Sequence, residues 1–304
     1  MTDLAVDLGF LKLKNPILAA SGTFGYGLEF SPFIDLNKLG GFVVKGLYDG
    51  PREGNAPPRL VEAPAGLINA IGLQGIGVRE FTAKILPQLA ALDTAVFVNV
   101  CGESDEEYVR VVEFLNGQKG ISAFELNISC PNLNRDGACP AMSSEDTYSL
   151  VKAVKEASLL PVVAKLSPNV TNIVEIALAA QEGGADGVSL VNTFLAMSVD
   201  PDTRTPRLAN IMGGLSGPAI KPIALRMVYQ VAARLEIPVI GRGGISTALD
   251  ALEFLICGAR AVQVGTANLV DPEATVRIIE DLEEYCEKKG IARVEELIGT
   301  IKTK

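Results

Sequence analysis

Eight times along the chain a short apolar run rich in β-forming residues appears, and most of these runs are followed by a longer stretch with helical spacing. The short runs are Pro16–Ala20, Gly41–Lys45, Ala95–Cys101, Ala123–Ile128, Pro161–Leu166, Gly187–Asn192, Ile237–Gly241 and Ala261–Gly265. Helical spacing of apolar residues marks Val78–Leu92, Asp105–Leu115, Ser144–Ser158, Asn172–Gly183, Ala219–Leu235 and Thr247–Cys257. Val162-Val163-Ala164 and Val239-Ile240 are apolar on both faces, as buried parallel strands are. The pattern predicts βα units on a parallel sheet.

Eight such units can close as a (β/α)8 barrel or open into a doubly wound sheet. The first βα turn lacks the GxGxxG of a dinucleotide-binding sheet. Two late turns favour the barrel: Gly241-Arg242-Gly243-Gly244 after the seventh run and Gly265-Thr266 after the eighth. Barrels often bind a phosphate between those two loops and a short helix N-terminus. Glycines also make plain tight turns, but two glycine turns in successive expected positions point to a phosphate site. The 304 residues suit one barrel domain over residues 1–304, since about 250 is usual and loop insertions add to it. No internal repeat, low-complexity tract or linker interrupts the chain. Tyr48–Gly77 and Phe194–Gly217 read as irregular insertions, long enough to be functional lids or binding loops at the C-terminal face.

The chain contains no histidine and no tryptophan. That excludes Ser-His and Cys-His couples, His-ligated zinc and an imidazole base. Acid–base work falls to Cys, Lys, Asp, Glu, Tyr or a cofactor. With 27 Lys plus Arg against 36 Asp plus Glu, the net charge of −9 argues against a nucleic-acid partner. The five cysteines, Cys101, Cys130, Cys139, Cys257 and Cys286, have no CxxC spacing and suggest no metal or iron–sulfur site. With no signal peptide at Met1–Asp7 they read as reduced thiols of a cytoplasmic protein. No apolar run reaches the ~18 residues of a membrane span.

Lys45, Asn99, Asn127, Lys165 and Asn192 each lie at or near the end of a strand candidate. Five polar groups converging on one rim describe a pocket with many donors, suited to a planar, carbonyl-rich ligand. The segment Asn127-Ile128-Ser129-Cys130-Pro131-Asn132 is the sharpest feature. A lone cysteine is most often a small core residue, and Cys101 and Cys257 read that way; Cys286 reads as facing the core from a C-terminal helix. Cys130 sits beyond a strand end in a polar loop, where a thiolate could act as base or nucleophile.

These residues resemble the class 1 dihydroorotate dehydrogenases, and among them the class 1B catalytic subunit. The likeness runs through Asn15-Pro16, Ala20-Ser21-Gly22, Asn69-Ala70-Ile71-Gly72-Leu73-Gln74, the Cys130 segment and Lys165-Leu166-Ser167-Pro168-Asn169. It continues through Asn192-Thr193, Gly213–Ala219, Gly241–Gly244 and Val264–Ala267, covering nearly the whole chain. The resemblance implies FMN at the mouth of a (β/α)8 barrel, held by Ser21, Lys45, Gly46, Asn99, Asn127, Lys165, Val191 and Gly217. Gly243-Gly244 and Gly265-Thr266 would present N–H groups to its phosphate. Dihydroorotate would contact Lys45, Asn69, Ala70, Ile71, Gly72, Leu73, Asn127, Asn132, Asn192 and Thr193. Cys130 is implied as the general base that takes the C5 proton while hydride passes from C6 to the flavin, and Lys165 as a stabiliser of the reduced flavin.

The class implies a homodimer with two electron-transfer subunits carrying FAD and a [2Fe–2S] cluster, with NAD reduced there. No metal is expected in this chain. Three departures stand out: Leu47 where relatives often carry Thr, Gly75 in place of the usual Asn, which should loosen the substrate loop, and Arg242, a cation near the phosphate or a plain surface residue. The rival readings are a fumarate-dependent class 1A enzyme, a related dihydropyrimidine dehydrogenase and, more remotely, a flavin-free barrel that binds a phosphorylated metabolite.

Overall fold

A computed structural model describes residues 2–129 and 139–303. Eight strands close a barrel, labelled here β1 (Ile17–Ala19), β2 (Gly41–Val43), β3 (Ala95–Val100), β4 (Ala123–Leu126), β5 (Val162–Lys165), β6 (Gly187–Leu190), β7 (Val239–Arg242) and β8 (Ala261–Val264). All neighbours pair in parallel and in chain order, with β8 returning to β1. Each falls within, or one residue beyond, a run identified in the sequence. Their both-sided burial explains why those runs were continuously apolar: outer helices cover one face and the barrel interior the other.

Four of the helices start where small polar residues satisfy the first open N–H groups. Ser104 caps Asp105–Leu115, Ser143 caps Ser144–Ala157, and Asn172 caps Ile173–Glu182. Thr247 caps Ala248–Ile256 in a reciprocal box: the Asp250 N–H donates to Thr247 Oγ1 at 3.2 Å, and the Thr247 N–H donates to Asp250 Oδ2 at 2.9 Å. Asp250 also accepts from Lys221 Nζ at 2.6 Å, tying this helix to Lys221–Ala232. Cys286 is buried on the helix Ala274–Lys289, as its spacing suggested. Cys257 differs from expectation: it is only half-buried, because it caps the end of a helix instead of facing the core. An N-terminal hairpin, Val6–Asp7 with Lys12–Leu13, brings Phe10 against Gly187 at the start of β6 and so covers that end of the barrel.

The two insertions are not irregular. Leu60–Ala63 and Gly66–Asn69 from the first, with Phe194–Met197 and Met212–Ser216 from the second, form one four-stranded antiparallel sheet. Its outer face packs Ile68 with Ala70 and Leu208 in a satellite core, against Val61, Ala63, Ala196 and Leu215. Neither insertion holds more than two strands of this sheet, so neither could bury an apolar face alone.

Among the described residues no helix is long and apolar enough to cross a membrane. Replacing the cap, Thr247→Ala, should cost about 1 kcal/mol and lower the melting temperature by about 2 °C in calorimetry. An unchanged Tm would mean that the box adds nothing to this helix.

Candidate functional site at the barrel mouth

Inside the barrel the period of two along each strand brings polar residues of five strands to a common level. Glu125 on β4 is fully buried there. Its carboxylate accepts from Asn99 Nδ2 on β3 at 2.8 Å, Ser189 Oγ on β6 at 2.9 Å and Gln263 Nε2 on β8 at 2.8 Å. Arg242 Nη1 on β7 lies 4.0 Å from Glu125 and donates to Gln263 Oε1 at 3.3 Å. Burial alone would push the Glu125 pKa up; the charges of Lys165 and Arg242, with the hydrogen bonds from Gln263 and Ser189, outweigh it and hold the carboxyl below its ordinary value. Above this layer Lys165 Nζ at the end of β5 donates to Ser21 Oγ at 3.1 Å. Asn127 Nδ2 donates to Asn99 Oδ1 at 3.2 Å, and the Asn127 carbonyl is fixed by the Tyr108 hydroxyl at 2.8 Å.

Asn99 and Arg242 carry this layer to the floor of a cavity of about 510 Å³ at the C-terminal ends of the strands. Ser21, Lys45, Gly46, Asn99, Asn127, Lys165, Asn192, Thr193 and Arg242 line it from the barrel. The insertion sheet is its roof: Leu60, Leu67, Asn69, Leu195, Met212, Gly214 and Ser216 face the cavity, while the alternate residues face the satellite core. Every ionisable side chain among the described lining residues is cationic: Lys45, Arg59, Lys165 and Arg242. Burial lowers the pKa of Lys45, and the neighbouring charge of Arg59 lowers it further, against a smaller opposing pull from Glu29.

Most of the expected site residues converge here. Asn69, Ile71, Gly72 and Leu73 enter the wall, with Leu73 held at φ 56° and Gly72 at φ 74°. A Cβ on Gly72 would come within 2.6 Å of the Asn55 backbone nitrogen, so this turn needs glycine. Asn192 Nδ2 donates to Ser129 Oγ at 2.9 Å, linking the wall to the segment that leads to Cys130. Ala70 does not reach the cavity; it is buried in the satellite core and its N–H donates to the Arg59 carbonyl at 2.8 Å. Val191 packs behind the lining, close to Gly243. Cys130 and Asn132 lie outside the described residues.

Gly217, Gly243-Gly244 and Gly265-Thr266 gather beside the cavity. Thr266 Oγ1 donates to Ser216 Oγ at 2.8 Å, and a Cβ on Gly244 would stand 2.9 Å from the Gly217 carbonyl oxygen. Among the described residues, the N–H groups of Gly243, Gly244, Gly265 and Thr266 have no protein acceptor. Four such donors beside a cationic cavity fit an anionic tail such as a phosphate.

Two departures read differently in three dimensions. Arg242 is not a plain surface residue: its side chain turns into the barrel interior, lines the cavity and is 10% exposed. Gly75 does not loosen its loop. It exchanges both backbone hydrogen bonds with Arg52, and a Cβ there would meet the Gly46 carbonyl oxygen at 2.9 Å. Leu47 is fully buried. Glu125, Ser189 and Gln263 were missed by sequence reasoning. Their signal was a single polar residue inside each of three apolar strand runs.

The family model for dihydroorotate dehydrogenase matches residues 3–286. A protein of Geotalea uraniireducens named dihydroorotate dehydrogenase B (NAD(+)), catalytic subunit, is 50% identical over 99% of both chains. One of the same name from Bacteroides thetaiotaomicron is 49% identical over 99% of both. A Solibacter usitatus protein, provisionally named dihydroorotate dehydrogenase A (fumarate), is 54% identical over 98% of both. The crystal structure of DHODH from Eimeria tenella with ferulenol shares the fold at a TM-score of 0.81 and 20% identity, over 98% of this chain and 88% of that one. With its family model matched from residue 3 to residue 286, its eight-stranded barrel and its polar mouth, the chain belongs to the dihydroorotate dehydrogenase family.

Proposed function

We propose that this chain, as one FMN-binding domain, oxidises (S)-dihydroorotate to orotate in pyrimidine biosynthesis and passes the electrons to NAD through a partner subunit. The observation that carries the reading is the cavity at the barrel mouth. It joins a cationic, amide-lined chamber to a cluster of open backbone N–H groups, inside a chain about half identical over its full length to NAD-linked catalytic subunits. These residues fit FMN. Ser21, Gly46, Asn99, Asn127 and Lys165 would hold the ring system, Val191 backs it, and Gly217, Gly243-Gly244 and Gly265-Thr266 would hold the phosphate. When bound, FMN supplies the hydride acceptor.

The chain's own residues then bind, orient and deprotonate. Lys45 matches the substrate carboxylate, and Asn69, Asn127, Asn132 and Asn192 match its amide and imide edges, since each can donate and accept. The backbone from Ile71 to Leu73, together with Thr193, closes the wall. Cys130, three residues after Asn127, takes the C5 proton. Lys165 favours negative charge on the cofactor, and the roof sheet excludes water. The electron path implies a homodimer bound to two subunits that hold FAD and a [2Fe–2S] cluster, in the cytoplasm. A second reading, a fumarate-using enzyme without that partner, is favoured by the 54% identical relative. Fumarate turnover by the isolated chain as fast as NAD reduction by the complex would select it.

Anaerobic titration of the purified, FMN-loaded protein with dihydroorotate should bleach the flavin band near ~450 nm. A colourless protein that takes up no FMN would overturn the assignment. Cys130→Ser should keep the cofactor but slow its reduction by about 100-fold or more in stopped flow, and full activity would remove Cys130 from the mechanism. An ordinary thiol ionises at ~8.5, so reduction should quicken as pH rises toward that value. Orotate affinity should change the other way. Lys45 loses its charge below the usual lysine value, so binding weakens as pH climbs through that lowered pKa, and Lys45→Gln should flatten this dependence.

A further inference from the structure

Arg242 and Glu125 form a buried pair of opposite charges at the floor of the proposed cofactor chamber. Arg242 lines the chamber, yet among the described residues its guanidinium has one hydrogen-bond acceptor, Gln263 Oε1 at 3.3 Å. A guanidinium carries five N–H donors, so most of its fork remains available on the chamber side. Glu125 lies 4.0 Å away beneath it, and Gln263 bridges the two, donating to Glu125 at 2.8 Å while accepting from Arg242. The four open N–H groups expected to serve the phosphate belong to the turns that follow β7 and β8. Arg242 instead ends β7 and points into the barrel interior with Gln263 and Glu125.

We propose that Arg242 contacts the ring system of the bound cofactor and raises its reduction potential, with Glu125 as the positioning residue that fixes the guanidinium and moderates its charge. The inference rests on the FMN reading above. A cation against the ring stabilises the electron-rich reduced form more than the oxidised form, and does so strongly where water is excluded. A carboxylate one layer deeper opposes that effect. It also keeps a buried guanidinium from standing uncompensated, which burial would make costly. The two groups therefore act on the potential with opposite sign.

The test measures FMN affinity and bound-flavin potential for wild type, Arg242→Met, Glu125→Gln and the double variant. FMN uptake by the wild type, followed by fluorescence quenching, is read first, and its absence refutes the functional reading itself. Given uptake, Arg242→Met should lower the potential, by about tenfold in the ratio of affinities for reduced and oxidised FMN, or about 30 mV for a two-electron couple. Glu125→Gln should raise it, and the double variant should return toward wild type. Shifts of the same sign, or none, overturn the proposal. A fall in FMN affinity with unchanged potential also overturns it, because that places Arg242 at the phosphate. Should Glu125→Gln fail to fold, Arg242→Met alone still decides, since a merely structural arginine would leave the potential of the folded, loaded protein in place.

Discussion

A carboxylate that water cannot reach survives only where the protein supplies its entire solvation shell, and Glu125 imposes that condition on the centre of this barrel. Among the described residues it accepts hydrogen bonds from β3, β6 and β8, and its counter-charges come from β5 and β7. Meeting that demand fixes the relative height of six of the eight strands. A one-residue slip in any of them would turn its polar residue outward and leave the carboxylate short of a partner. Three of the same residues, Asn99, Lys165 and Arg242, line the cavity. Barrel register and site geometry are thus one problem with one solution, and strand-end side chains such as Asn127 and Lys165 stand on a level already set below them.

The barrel was legible because parallel strands covered on both faces leave short, continuously apolar runs, and the glycine turns at Gly241–Gly244 and Gly265-Thr266 favoured closure over an open sheet. The strand-end residues Lys45, Asn99, Asn127, Lys165 and Asn192 were legible for the converse reason: polar groups have little cause to sit there except to serve a ligand. The deeper layer was hidden. Ser189 inside Gly187–Leu190 and Gln263 inside Ala261–Val264 are single polar residues, and sequence spacing cannot say whether such a residue faces the interior or a covering helix. Arg242 misled because its glycine neighbours suggested a loop, whereas it is the last residue of β7 and its side chain follows the strand's inward direction.

The roof was illegible for a different reason. Gly66–Asn69 pairs with Met212–Ser216 across most of the barrel sequence, with Asn69 opposite Gly214. Local patterning carries no trace of a sheet whose paired residues, such as Asn69 and Gly214, stand 145 positions apart in the chain. Gly214 itself shows the constraint: a Cβ there would collide with the Thr193 side chain, so the close approach of roof and wall depends on a bare backbone. A glycine that reads in sequence as a turn is here a packing requirement.

Charge completes the division of labour. The chain is acidic overall at −9, yet every ionisable group among the described lining residues is a cation. A low-dielectric chamber of this sign concentrates anions and suits a phosphate-bearing cofactor together with a carboxylate substrate. The same feature leaves the described walls without a carboxylate, thiol or phenol to accept a proton, and the absence of histidine removes the usual substitute. A guanidinium holds its proton at any working pH, so Arg59 and Arg242 bind and polarise but accept no proton. In the proposed reaction the base comes from the segment that continues past Ser129, whose hydroxyl meets Asn192 at the cavity wall. That is where the chain places Cys130.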